Sequence, residues 1–416
     1  MLKVPLPGAP AWGGPRSMPL LKIGTCARSG WFSRVRQKTE FPTTQGSGHA
    51  RPEPFSLCTA LTSRGLVTKF ATFPVHRTGP LGFSAGWHND PVALRSSMHP
   101  SNLISRIEST APLHLAASWD KCGVQVASAA TEVGTLCVAL DPSVETVRQA
   151  VEHGADFLLC HHPLSLAPKL PSRLDDYHEV LRLSLRNSMW LYSAHTSLDA
   201  NPHGPVNWLG RAIEMQDMRI LEVTRRETPS LLRLADPAMQ ERVRDFAGSS
   251  TGRGAQMEEY LLWPEESAAF KAKLETGTPW QELALAAPIR EYGFGCIGTL
   301  PKTLGWDEFS ARLTALGLPL SRMAGQVPGT VTRVAYCPGS GADLGPAAFA
   351  KGADVYLTGD VKYHQAQAVQ DIGLTIDVGH FCLEETMMRT WSQNLDRELS
   401  PEGVKVVFLP GRNPFA

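Results

Sequence analysis

The chain has 416 residues, 43% hydrophobic and 19% charged, with 40 Lys+Arg against 40 Asp+Glu. That length points to two or three domains. A net charge of zero argues against a protein whose main business is coating nucleic acid or a membrane surface, and no apolar run approaches the roughly 18 residues of a membrane span.

The charge is unevenly spread. Residues 1–97 carry twelve Lys/Arg against Glu40, Glu53 and Asp90, about +9, which leaves about −9 for 98–416. The first segment is rich in Pro, Gly, Ser and Arg without periodicity, and its composition reads as loop or disorder. It is either an organelle transit segment or a gene start placed too far upstream. The second reading is preferred, because the sequence changes character at Met98. A mildly acidic body over 98–416 fits a cytoplasmic protein. None of the eight cysteines forms a C-x-x-C pair, so neither a disulfide framework nor a Cys-based zinc site is expected. Cys137 and Cys160 lie in apolar runs and read as small buried hydrophobes.

From Met98 the elements follow in order. SNLISRIEST reads as an N-cap Ser101 followed by an apolar helical stripe of Leu103, Ile104 and Ile107. Leu136–Leu140 is a buried strand, and Pro142 begins a helix closed by Gly154. Phe157–Cys160 is the next strand and runs into His161-His162-Pro163. A helix over about 175–187 leads to strand Trp190–Ser193 and then AHTSLDA. Strand–helix alternation of this kind implies an α/β fold with a largely parallel sheet.

An internal echo links GTLCVALDPSVETVRQAVEHGADFLLCHHP with TRVAYCPGSGADLGPAAFAKGADVYLTGD, the two GAD turns falling at 154–156 and 352–354. It suggests two similar α/β halves facing each other, over 98–222 and 291–416. Between them, 223–290 alternates short strands and helices as a small ferredoxin-like α+β insertion. It has no clustered His, Asp or Cys, and no chemistry is assigned to it.

Four segments supply metal-ligand types, three of them just past a strand, where sites in α/β sheets gather. Adjacent His161 and His162 on an extended chain point to opposite sides, which suits two metals better than one. Asp199, in HTSLD, has two oxygens to bridge cations, and its plainer reading is a turn cap. His195 is a substrate-side or ligand-orienting candidate. His380 and Glu384 are one helical turn apart and reach one centre, while Glu385 points about 100° away. In TGDVKYH, Lys362 and His364 are candidates for contact with an anionic substrate, with a solvated turn as the alternative. The Gly-rich stretch Pro338–Ala342 offers backbone N–H groups to a phosphate, but lacks the Lys-Ser/Thr ending of a P-loop.

These motifs resemble the NGG-one-interacting-factor-three family, whose members also carry the name GTP cyclohydrolase 1 type 2 homologue. SWDKCGVQV, GADFLLCHHPL, YSAHTSLDA and GADVYLTGDVKYHQA with DVGHFCLE each resemble a family motif, with Ser197 where Asn is usual. The likeness covers about 98–220 and 291–416. It implies a toroidal homohexamer and a dinuclear centre with His161, His162, Asp199, His380 and Glu384 as ligands. Glu384 would bridge, with His162 and Asp199 on one metal and His161 and His380 on the other. Such ligands fit zinc, iron, manganese, cobalt or nickel. The implied function is a metal-dependent hydrolase acting on a small molecule, GTP ring opening being suggested by the family label. A non-catalytic metal-binding assembly or regulatory protein is the alternative. No membrane role is expected, and nucleic acid is a distant third because an acidic body repels phosphate backbones.

Overall fold

The computed structural model describes residues 97–243, 250–253, 258–320 and 322–415, so the two readings of the segment before residue 97 lie outside the described residues. Helix α1 (Pro100–Thr110) begins where the composition changes, but its cap is His99 rather than Ser101. Pro100 occupies the first helical turn, where its fixed φ suits the helix and its missing N–H would have had no partner anyway. The His99 ring then accepts the Ser101 N–H.

The first sheet is built from β1 (Gly123–Val126), β2 (Thr135–Ala139), β3 (Phe157–Cys160) and β4 (Trp190–Ser193). Helices α2 (Val144–Glu152) and α3 (Asp176–Arg186) connect the three parallel strands β2, β3 and β4. Ser143 caps α2 by accepting the Thr146 N–H, so Pro142 lies just outside the helix rather than beginning it. The strands β2 and β3 are buried along their whole length, as strands covered on both faces must be. That is why they read as unbroken apolar runs.

After β4 come two short helices, α4 (Thr196–Asp199) and α5 (Trp208–Ala212), and then the long strand β5 (Gln216–Glu227). The next segment forms its own sheet. It runs β6 (Ser230–Leu234), α6 (Pro237–Val243), β7 (Ser250–Arg253), β8 (Glu258–Leu262), α7 (Pro264–Lys273) and β9 (Trp280–Ala284). The strand order is β7-β8-β6-β9, antiparallel throughout, which is the ferredoxin-like arrangement. Leu232, Leu234, Tyr260, Leu262 and Phe270 form its separate core.

Strand β10 (Arg290–Gly305) returns beside β5 and opens the second large sheet. Helix α8 (Trp306–Ala315), β11 (Arg322–Ala324), β12 (Thr330–Tyr336), α9 (Gly345–Ala350), β13 (Val355–Thr358), α10 (Tyr363–Val369) and β14 (Leu374–Asp377) follow. The sheet order is β11-β14-β13-β12-β10-β5, with β12, β13 and β14 parallel. Helix α11 (His380–Leu399) then leads to β15 (Lys405–Phe408), which pairs with β2 of the first sheet. Sheet membership therefore does not follow the chain segments: β5 enters the second sheet before the insertion, and the C-terminal strand goes back to the first.

One core spans both large sheets. It contains Val138, Phe157 and Leu159 from the first and Val334, Val355 and Leu357 from the second. Between them lie Leu383, Met387, Trp391 and Leu395 of α11. The Trp208 indole N–H donates to the Leu383 carbonyl at 3.0 Å. These contacts fix the first turn of α11, and so place His380 and Glu384 against the end of β3.

The two GAD turns have matching jobs. Asp156 accepts the Gly134 and Thr135 N–H groups at 2.8 and 3.0 Å. Asp354 accepts those of Thr332 and Arg333, each at 2.8 Å. Each aspartate thus fixes the start of the strand preceding its helix. Asp156→Ala leaves two donors without their carboxylate acceptor and is expected to destabilise the fold by about 1–3 kcal/mol, read as a lowered urea midpoint at unchanged m-value.

Candidate metal centre

Strand β3 ends at Cys160, and the next two residues leave the ladder together. The His161 and His162 N–H groups both donate to the Leu140 carbonyl, at 3.1 and 3.0 Å. The side chains are then oriented by acceptors on Nδ1. His161 Nδ1 donates to the Ala194 carbonyl at 2.9 Å, beyond the end of β4. His162 Nδ1 donates to Asp141 at 2.7 Å. His380 Nδ1, on the first turn of α11, donates to Asp360 at 2.7 Å. With Nδ1 occupied, each ring when neutral is held in the tautomer whose Nε2 carries the free lone pair. Metal-ligating histidines are oriented in this way.

The three Nε2 atoms converge on Glu384, which is 2% exposed. His162 Nε2 lies 3.0 Å and His380 Nε2 2.8 Å from Oε2, while His161 Nε2 lies 3.5 Å from Oε1. Asp199 Oδ1 stands 3.7 Å from His161 Nε2. The spacing of His380 and Glu384 works as the helical periodicity implies, and Glu385 turns away to accept the Gly411 N–H at 2.9 Å. Thus the structure brings all five sequence candidates together. The ligand-type atoms of His162, His380 and Glu384 lie within 4.8 Å of one another, and His161 faces both Asp199 and Glu384.

Buried polar atoms normally have partners. Here His161 Nε2, His380 Nε2, Asp199 Oδ1 and Glu384 Oε2 make no hydrogen bond of acceptable geometry. Orphaned donor-type atoms from histidines and carboxylates, all facing one another, fit a divalent cation. The electrostatics agree. Burial opposes protonation of His162, but Asp141 and Glu384 outweigh it and push the imidazole up to about 10. Burial likewise opposes His380, and Glu384 and Asp360 raise it to about 9. Burial raises Asp199 to about 7 against the pull of His161. Glu384 is held well below the carboxylate range by the histidines despite its burial. The cluster therefore retains positive charge, and protons and a metal ion compete for the same atoms.

His195 completes the wall. Its Nδ1 bonds Asp120 at 3.1 Å, and the ligand-type atoms of His161, His162 and His195 lie within 4.8 Å of one another. Trp119, 57% exposed, packs T-shaped against His195 with ring centroids 5.9 Å apart. Lys362 and His364 stand elsewhere. Both are exposed, and the Lys362 backbone caps α10 through Gln365. No hydrogen bond or ion pair joins either side chain to the cluster among the described residues. The contribution of their segment is Asp360, which holds left-handed backbone at φ 57° and is itself bonded by Ser340 at 2.7 Å.

Three aspartates were missed by the sequence reading: Asp120, Asp141 and Asp360. Burial pushes the Asp120 carboxyl up, but bonds from His195, Thr196 and Cys122 outweigh it and hold it well below the usual range. Its place in the SWDKCGVQV motif was the available signal. The Gly-rich loop also packs against Glu384. The Gly341 N–H already donates to Thr358 Oγ1 at 3.0 Å. A Cβ on Gly339, which holds φ +65°, would lie 2.4 Å from Glu384 Oε1. The loop is thus a backing plate for Glu384.

A model of the family described as Duf34/NIF3 (NGG1p interacting factor 3) matches residues 98–414. The chain is 25% identical over 331 residues to a Staphylococcus epidermidis protein named GTP cyclohydrolase 1 type 2 homolog, covering 68% of this chain and 89% of that one. A Halalkalibacterium halodurans protein of the same name is 26% identical over 343 residues, covering 71% and 92%. Among solved structures, a Bacillus cereus protein related to NIF3 superposes with a TM-score of 0.65 at 24% identity, covering 77% of this chain and 99% of that one. A Staphylococcus aureus protein gives 0.61 at 21%, covering 77% and 98%. At these identities the structural likeness speaks for the fold.

Proposed function

The chain belongs to the Duf34/NIF3 family, and from that premise we propose that it is a dinuclear divalent-metal protein acting as a metal-dependent hydrolase on a small molecule. The observation that carries the reading is the convergence of three Nδ1-anchored histidines on the buried carboxylate of Glu384. His161, His162, Asp199, His380 and Glu384 would hold the ions, with zinc and iron the first candidates. When bound, such a pair supplies Lewis-acid activation of water and of the attacked group. His195, fixed by Asp120, is the residue placed to bind substrate or to hold a proton at Nε2. Trp119 offers an exposed aromatic face beside it. The homohexameric assembly belongs to the same proposal through the family, and the cytoplasmic setting through the mildly acidic body over 98–416. Among the described residues no helix is long and apolar enough to cross a membrane.

The test is turnover. Protein loaded with zinc or iron is incubated with GTP and with simple phosphoesters, and formate and phosphate are assayed. Metal-dependent product that disappears in His161→Ala supports the hydrolase. Full metal occupancy without turnover of either class would reassign the protein to the non-catalytic alternative.

Two further results are expected. Asp141→Asn removes the anionic anchor of His162 and should weaken metal affinity about tenfold to a hundredfold, measured by competition with a chromogenic chelator. The second concerns pH in metal-stripped protein. His162 and His380 have folded values above their ordinary 6.5. The stability they contribute is therefore fully present below about 6.5 and is lost as pH rises toward 9–10. Glu384, shifted the other way, contributes stability above about 4.5 that is lost on acidification. Chelated protein should show a falling melting temperature toward pH 9–10, and metal should suppress the fall. An alkaline limb that is the same with and without metal would rule out this linkage.

A further inference from the structure

A second concave site lies away from the donor cluster. It is a cleft of about 1100 Å³, slightly above the usual size range for small-molecule sites. None of His161, His162, Asp199, His380 or Glu384 lines it. Its walls come from the segment around α5, from the outer strand β5 with β10, and from Arg333 and Lys351.

The charge of the lining is one-sided. Arg211, Arg219, Arg226, Arg333 and Lys351 face the cleft, against Asp217 and Glu291. Arg226 is matched by Glu291 at 2.8 Å. The others are not neutralised. Arg211 donates to the Gly204 carbonyl at 3.2 Å, Arg333 to the Lys351 carbonyl at 3.1 Å, and Lys351 to the Leu221 carbonyl at 2.6 Å. Among the described residues none of these three, nor the exposed Arg219, forms an ion pair with a carboxylate. Hydrogen bonds to neutral carbonyls fix a cation in place without cancelling its charge. That differs from an ordinary solvated surface, where such side chains are mobile or paired with acids. Pre-placed, uncompensated guanidinium and ammonium groups around one concavity make a receptor for several negative oxygens, because arginine meets phosphate through two parallel N–H bonds and lysine as a point charge.

We infer that this cleft binds a small ligand carrying two or more phosphate groups, at a site separate from the metal centre. The inference rests on charge and cavity, so it stands or falls independently of hydrolysis.

The test is calorimetric titration of inorganic triphosphate into the full chain. The titration is repeated on Arg333→Gln/Lys351→Gln, which keeps hydrogen-bond donors but removes two charges, and on His161→Ala. Binding should weaken at least tenfold in the double variant, persist in His161→Ala, and weaken as sodium chloride is raised. If the double variant does not fold, as judged by its melting curve, Arg211→Gln/Arg219→Gln removes charge from the other wall and should give the same loss. No binding to wild type, unchanged affinity in the charge variants, or loss in His161→Ala each overturns the inference; the last places the anion at the donor cluster.

Discussion

Glu384→Ala is expected to abolish metal loading and to destabilise the metal-free protein. The side chain is 2% exposed, and the Nε2 atoms of three histidines aim at it. Removing it leaves His162 and His380 without the carboxylate that favours their protonated forms. Breaking a buried charged pair by deleting one partner costs about 3–5 kcal/mol. The variant can recover part of this by releasing protons, so the loss should be smaller at pH 9 than at pH 6. Urea denaturation in chelator at the two pH values measures it. Metal affinity should fall by more than the roughly hundredfold seen when only a ligand's supporting partner is removed. A variant with wild-type metal content and an unchanged urea midpoint would show that Glu384 is an ordinary buried acid.

Gly339→Ala is the second large effect, and it tests the site from behind. Gly339 holds φ +65°, where a side chain costs about 1–2 kcal/mol. Its new Cβ would also fall 2.4 Å from Glu384 Oε1 and 3.6 Å from His380 Nε2. Either the loop or the carboxylate must move, and overpacking of this kind costs about 1–3 kcal/mol more. Metal affinity should drop together with stability, although residue 339 offers no ligand. Gly329→Ala is the control, since nothing lies within 4 Å of a Cβ there and its φ is not in the left-handed region. It should change neither quantity. Equal effects of the two substitutions would deny the loop its backing role.

Much of this site is legible in local pattern. His161 and His162 follow an apolar strand whose limits, Phe157–Cys160, are the observed ones. His380 and Glu384 share a helix face because 3.6-residue periodicity puts them there, and the same geometry sends Glu385 to Gly411. What the sequence hides is long-range. Asp120 meets His195 across 75 residues and Asp360 meets His380 across 20. Both pairings depend on how strands line up. Asp360 also needs a left-handed backbone that no spacing rule reveals for a non-glycine residue. The conspicuous residues of that segment are Lys362 and His364, and their side chains are exposed. Strand β15 was missed for a related reason. KVVF is short, and only its parallel pairing with β2, on the far side of the chain, makes it a strand. The cap of α1 was displaced by two residues because a proline at the first helical turn outranks a serine beyond it.

If the buried His/Asp/Glu cluster holds metal, the purified protein should carry it. Elemental analysis of the purified full chain beside His161→Ala/Glu384→Ala tests it most directly. About two equivalents of one transition metal per chain are expected, as two-metal hydrolytic sites carry, with their loss in the double variant. A folded wild type that is metal-free as purified and takes up none of added zinc, iron, manganese, cobalt or nickel would contradict it.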